Sequence, residues 1–210
     1  MAINIVTLLM ALSAALTLRG EYRGPRILVY IFKPLATSLI ILMALLIPNP
    51  VSAFYKYMIL SGLMFSLFGD VFLMLPTDRF IMGLASFLIA HLFYIAAFSF
   101  TGSFSKSFLC LIPFLIFGIF IFGMLRPHLG NLKLPVLVYM LAILVMAWQA
   151  LNRFPESWLA FLGALFFIAS DTILAIDSFK TKFRHARFYV LTTYFIAQWL
   201  IAFSISSHLI

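Results

Sequence analysis

Eight apolar runs, each close to the roughly 20 residues a helix needs to cross a hydrocarbon core, follow one another along this chain. Only short clusters of charge, proline, glycine and asparagine interrupt them. The runs cover residues 2–18, 27–47, 57–75, 80–100, 107–125, 134–151, 158–176 and 188–207, which leaves no room for an extramembrane domain in 210 residues. Composition closes the alternatives. With 65% hydrophobic and 10% charged residues, against about 45–50% and about 25% in a soluble domain, the chain is not a soluble enzyme, a nucleic-acid binder or a disordered polymer. What remains is an all-α fold: a polytopic bundle of eight transmembrane helices forming one integral membrane domain over residues 1–210. The first run reads as a retained span and not a cleaved signal, because no basic residue precedes it and Arg19, Glu21, Arg23 and Arg26 follow it.

The net charge of +8 is what the cytoplasmic loops of such a protein produce. Arg19, Arg23, Arg26, Arg79, Arg126, Lys133, Lys180, Lys182, Arg184 and Arg187 fall at loops 1, 3, 5 and 7, whereas the other side has Lys56, Lys106 and Arg153. The imbalance puts the odd-numbered loops in the cytoplasm and both termini outside, as in a bacterial inner-membrane protein. The basic run of loop 7 has the charge to hold a lipid phosphate, but the same topology is the favoured explanation of it. Cys110 is the single cysteine, so neither an intramolecular disulfide nor a cysteine-based metal site can form. His128, His185 and His208 lie in or near loops without metal-ligand spacing, and no metal or other cofactor is expected.

The two halves of the chain resemble each other. Gly62-Leu-Met-Phe-Ser-Leu-Phe-Gly-Asp70-Val-Phe-Leu73 aligns without gaps on Gly163-Ala-Leu-Phe-Phe-Ile-Ala-Ser-Asp171-Thr-Ile-Leu174. Leu28-Val29-Tyr30 matches Leu137-Val138-Tyr139, and Ile89-Ala90-His91 matches Ile196-Ala197-Gln198. A separation of four spans is even, so the reading is a 4+4 parallel repeat, residues 1–106 and 107–210, about an axis along the membrane normal.

Asp70 and Asp171 are the only acidic residues inside the spans, and they occupy the same repeat position. An isolated aspartate there costs about 2.5–3.5 kcal/mol on insertion scales, so each is expected to face the bundle interior. Each sits six or so residues from the cytoplasmic end of its run, about 9 Å deep at 1.5 Å per residue, and Lys33 lies at the same level in the second run. Gly62, Ser66, Gly69, Asp70 and Leu73 form one helical stripe that allows close approach, and Gly163, Ser170, Asp171 and Leu174 repeat it. Pro34 frees the carbonyl of Tyr30 and is expected to bend the helix beside Lys33. Asp70, Asp171 and Lys33 are therefore the candidate catalytic group. Tyr30, His91, Tyr94, Tyr139 and Ser170 are the candidate substrate contacts, with His91 near mid-membrane and equally suited to core packing. The inert alternative is a structural network in which Lys33 neutralises one aspartate. The many aromatic side chains read as lipid-facing and core packing, with part of them suited to wall an acyl-chain pocket.

These segments, Lys33-Pro34-Leu35, Gly69-Asp70-Val-Phe-Leu73, Phe80 through Gly83-Leu84 to Ala90-His91 and Tyr94, and Ser170-Asp171-Thr-Ile-Leu174-Ala175 with Phe179, resemble in order and spacing the YhhN-like family of eight-span membrane proteins, which includes the lysoplasmalogenases. The resemblance implies hydrolysis of the vinyl ether of a lysoplasmalogen, with a lysophospholipid and water as partners, to a fatty aldehyde and glycerophospho-ethanolamine or glycerophospho-choline. Enol ethers hydrolyse by protonation of the β-carbon and capture of the oxocarbenium ion by water. That chemistry needs one carboxylic acid that stays protonated and one carboxylate that stays ionised, and the aspartate closer to Lys33 would be the ionised base. A proton-coupled carrier is the runner-up, because parallel repeats with intramembrane acids also suit alternating access. A structural or assembly protein is third.

Overall fold

The computed structural model describes residues 2–75, 79–100, 108–154 and 157–206. Within them the regular structure is helical apart from one isolated bridge between Pro50 and Ser206, and eight helices are long and apolar enough to cross a membrane. They are α1 (Ala2–Tyr22), α2 (Ile27–Leu46), α3 (Ala53–Met74), α4 (Phe80–Phe100), α5 (Ile112–Leu125, led in by a 3₁₀ turn, Phe108–Leu111), α6 (Lys133–Asn152), α7 (Trp158–Ala175) and α8 (Ala186–Phe203). This is a multi-pass integral membrane protein. The outer faces agree: Leu8 on α1 is 71% exposed and Ile119 on α5 is 73% exposed, a placement that suits lipid and not water.

Several helix ends differ from the hydropathy reading for local reasons. α3 starts at Ala53 and not at residue 57, because Ser52 caps it by accepting a hydrogen bond from the N–H of Tyr55 at 3.0 Å. Lys56, which reads as a boundary charge, lies inside the first turn of α3. Its ammonium donates to the carbonyls of Leu45 (2.8 Å) and Ile47 (3.0 Å) at the end of α2, where a cation complements the helix dipole. α5 begins late, with Pro113 in its first turn. α8 stops at Phe203, after which the N–H of Val51 bonds the carbonyl of Ile205 at 3.0 Å. Past Ala175 the chain continues as a wide π-turn, Ile176–Lys180. Asp177 organises the segment that follows, accepting from the N–H of Phe183 at 3.2 Å and pairing with Lys182 at 3.5 Å. Arg153, counted above as a loop residue, is buried with its guanidinium 4.6 Å from the ring centre of Tyr55. Lys106 and His208 lie outside the described residues.

The most extensive pairings are α1 with α2, α3 with α4, and α7 with α8, while α4 faces α6 across the middle. Glycines set the close pairs. A Cβ on Gly62 would stand 2.2 Å from the ring of Tyr94, and one on Gly69 would stand 2.5 Å from Phe87, so α4 seats two aromatic rings on the small-residue stripe of α3. At Gly163 the obstacle includes backbone: a Cβ would meet the carbonyl oxygen of Ala197 and the nitrogen of Ile201, both at 3.1 Å. Because backbone cannot rotate away, Gly163→Ala is expected to lower stability by about 1–3 kcal/mol. Thermal unfolding in detergent would show it, and an unchanged midpoint would mean that α7 and α8 do not approach this closely.

Candidate active site

Asp70 stands at the centre of a fully built polar cluster. It is 1% exposed and lies on the face of α3 turned towards α2 and α8. Lys33 of α2 pairs with its Oδ1 at 3.2 Å. Thr37 of α2 donates to Oδ2 at 2.6 Å, and the Tyr194 hydroxyl of α8 donates to the same oxygen at 2.7 Å. Lys33 and Thr37 are four apart, so one face of α2 delivers both donors. Three donors, one of them a cation, converge on a single carboxylate. Pro34 lies within α2 without ending it.

Asp171 has a different setting. Its Oδ2 accepts a hydrogen bond from Tyr139 of α6, and among the described residues no cation pairs with it. The cavity beside it is mostly apolar. Asp171 lines this space, of about 80 Å³, together with Leu84, Phe87, Phe117, Ile121 and Ile168, among others. A chain of rings lies between the two carboxylates. The ring of Tyr194 is 5.8 Å from both Phe87 and Phe167, Phe167 is 4.8 Å from His91, and His91 is 5.1 Å from Tyr139.

A second cavity, of about 240 Å³, opens beside the first at the end of the bundle where loop 1 meets the start of α8. Its character is opposite: Glu21, Arg26, Tyr30, Lys33 and Arg187 line it. Leu73, one turn beyond Asp70 on α3, lines both cavities. The Lys33–Asp70 pair thus borders the polar cavity, the Asp171–Tyr139 pair borders the apolar one, and a single leucine stands where they meet.

Residues 28–205, which contain all of this arrangement except Glu21 and Arg26, match the model of the YhhN family. The chain belongs to the YhhN family. Among relatives, a lysoplasmalogenase TMEM86B of Sus scrofa is 37% identical over 158 residues, covering 72% of this chain and 65% of that protein. Lysoplasmalogenase TMEM86B of Homo sapiens is 35% identical over 151 residues, 71% of this chain and 64% of its own length. An uncharacterized membrane protein YhhN of Escherichia coli O157:H7 is 28% identical over 205 residues, 92% of this chain and 95% of its own. The chain therefore spans just under two thirds of the two lysoplasmalogenases and nearly all of the bacterial relative. No solved structure matches.

In this YhhN protein the candidate residues fall into two groups. Lys33, Asp70, Tyr30, Tyr139 and Asp171 lie in or against the two cavities. Tyr94, His91 and Ser170 lie behind the cavity linings. The hydroxyl of Tyr94 donates to Gln198 at 2.7 Å, and Ser170 donates to the carbonyl of Val190 at 3.1 Å. His91 is fully buried and packs edge-on against Tyr139 and Phe167, and neither ring nitrogen has a hydrogen-bond partner among the described residues. Thr37 and Tyr194 are hydrogen-bond partners of Asp70 that the sequence reading missed. For Thr37 a signal existed, its i+4 spacing from Lys33. For Tyr194 there was none, since 124 residues separate it from Asp70.

Proposed function

We propose that this protein is a lysoplasmalogenase that cleaves the vinyl ether of a 1-alkenyl-glycerophospho-ethanolamine or -choline by acid–base catalysis between Asp171 and Asp70. One observation carries the reading: the polarity order of the site matches the polarity order of the substrate. Read from one end, such a lipid is headgroup, glycerol, ether oxygen, vinyl carbons and hydrocarbon chain. The protein offers a polar cavity, the Lys33–Asp70 pair, Leu73, and an apolar cavity with Asp171 in its wall. With the chain in the apolar cavity, the β-carbon of the vinyl ether faces Asp171 and the oxygen-bearing carbon faces the polar side.

The chemistry then balances. Asp171 gives its proton to the β-carbon, and the positive charge spreads over the α-carbon and ether oxygen. Water from the polar side attacks the α-carbon and leaves a proton with Asp70, which forms a hemiacetal. Asp70 returns that proton to the glycerol oxygen as its bond to the α-carbon breaks, and the hemiacetal hydroxyl proton restores Asp171 as the aldehyde forms. Tyr139 holds Oδ2 of Asp171, which leaves Oδ1 for the transferred proton. Lys33, Thr37 and Tyr194 fix the ionised base. The names carried by the mammalian relatives support the same activity.

The test is to incubate the purified protein in detergent with 1-alkenyl-glycerophosphoethanolamine and to measure fatty aldehyde and glycerophosphoethanolamine. Equimolar release is expected, and the saturated 1-alkyl ether should be left intact because it has no carbon to protonate. If no aldehyde forms, the reading is wrong.

The charge asymmetry of the loops supports an orientation with both termini outside and the polar cavity opening to the cytoplasm. Lys182 has a 77% exposed side chain and makes a suitable probe. In a Cys110→Ser background, Lys182→Cys is expected to resist membrane-impermeant thiol reagents in intact cells and to react after permeabilisation. Labelling in intact cells would reverse the orientation.

A further inference from the structure

The polar cavity carries more charge than the acid–base reaction uses. Lys33 is committed to Asp70, yet Arg26, Arg187 and Glu21 line the same space. Among the described residues none of these three makes an ion pair or a side-chain hydrogen bond, either with one another or with a neighbour. Their assembly depends on the fold and not on loop sequence alone. The N–H of Phe188 donates to the hydroxyl of Tyr22 at 3.0 Å, across 166 residues, which ties the residue after Glu21 to the residue after Arg187. The ring of Tyr22 also lies 6.4 Å from that of His185. Glu21, Arg26 and Arg187, all exposed, are thereby brought to the lining of one cavity of about 240 Å³ with the Lys33–Asp70 pair at its edge.

We propose that this cavity is a receptor for a zwitterionic phosphodiester headgroup, in which Arg26 and Arg187 hold the phosphate and Glu21 holds the ammonium. The charge count fits: two cations and one anion meet one phosphate and one ammonium, and a single positive charge is left over. Arginine is the residue suited to the phosphate, because its planar fork pairs two N–H donors with two oxygens. The ring of Tyr30, which lines the same space, offers a face to a methylated ammonium. The site is what would select a phospho-alcohol lysolipid over a neutral monoglyceride and place the ether oxygen at the level of Leu73. For the placement of the substrate it rests on the hydrolase reading, but the binding it asserts is measurable without turnover.

The experiment therefore measures equilibrium binding to the full-length protein in neutral detergent. The probes are 1-acyl lysophosphatidylethanolamine, which has no vinyl ether, lysophosphatidic acid, which lacks the ammonium, and monoacylglycerol, which lacks both charges. Wild-type protein is expected to prefer lysophosphatidylethanolamine over monoacylglycerol. Arg26→Gln combined with Arg187→Gln should weaken both phosphate-bearing ligands by about tenfold or more and shift monoacylglycerol by less than about twofold. Glu21→Gln should weaken lysophosphatidylethanolamine and leave lysophosphatidic acid equal or tighter. These ligand ratios are measured within one protein preparation, so partial loss of folded protein cannot imitate them. Equal weakening of all three ligands, or no change with both arginines replaced, overturns the proposal. Diacyl phosphatidylethanolamine competing as well as the lysolipid would assign the cavity to bulk membrane lipid and overturn it as a substrate site. Selective binding without any aldehyde release would instead remove the hydrolase reading and leave the headgroup receptor standing.

Discussion

Asp171→Asn is expected to lower the turnover of lysoplasmalogen at least about 10²-fold, the low end for loss of a general acid, with little change in thermal stability. The side chain keeps its size, and its amide oxygen can still accept the hydrogen bond from Tyr139. What is lost is the proton for carbon. Asp70→Asn should cost a similar factor in turnover, but with a stability loss as well, because Lys33, which is 9% exposed, then has no counter-charge. Lys33→Met strands the carboxylate in turn, a loss of about 3–5 kcal/mol where a buried pair is broken from one side. Comparing the two asparagine variants in one detergent, by aldehyde release and thermal unfolding, therefore separates chemistry from folding. His91→Ala should reduce turnover less than either, since its ring packs on Tyr139 and holds no reacting group. Near wild-type turnover in a folded Asp70→Asn or Asp171→Asn protein would end the paired-carboxylate mechanism.

That prediction draws on features of unequal visibility in the sequence. The eight spans were legible because apolar length is a one-dimensional signal. Their ends were less so, since charge is a poor boundary marker where a lysine such as Lys56 reaches back to cap the preceding helix. The aspartates and Lys33 stood out because a charge inside an apolar run has no bland explanation. The difference in surroundings between the two aspartates did not stand out, and the two halves of the chain show why. On the alignment of Tyr30 with Tyr139, Lys33 and Thr37 fall opposite Ala142 and Met146. One half supplies a cation and a hydroxyl to its aspartate, whereas the other half leaves its aspartate with a tyrosine and a hydrocarbon wall. The sequence contained that asymmetry, but reading it required knowing which helix faces of α2 and α6 turn towards α3 and α7. Tyr194 and the shared wall at Leu73 arise from the packing of helices far apart in the chain, and no local pattern encodes them.

The same asymmetry fixes where isotopes should go, which tests the reaction independently of any mutation. If Asp171 protonates the β-carbon, turnover in heavy water should place one solvent deuterium on the α-carbon of essentially every aldehyde released. The rate should also fall, because a proton moves to carbon in the slow step. Activity against pH should be bell-shaped, with limbs that report the acid–base pair as a whole and neither aspartate alone. The second label is oxygen. Water enters at the vinyl carbon, so ¹⁸O from solvent should appear in the aldehyde and never in the glycerol hydroxyl. Aldehydes exchange oxygen with water, which weakens the positive half of that statement, and the unlabelled glycerol is the decisive half. Attack on the glycerol side of the ether oxygen would put ¹⁸O into the glycerol product and leave the aldehyde with the original ether oxygen. Finding the label there would end the protonation-first mechanism even if both aspartates proved essential.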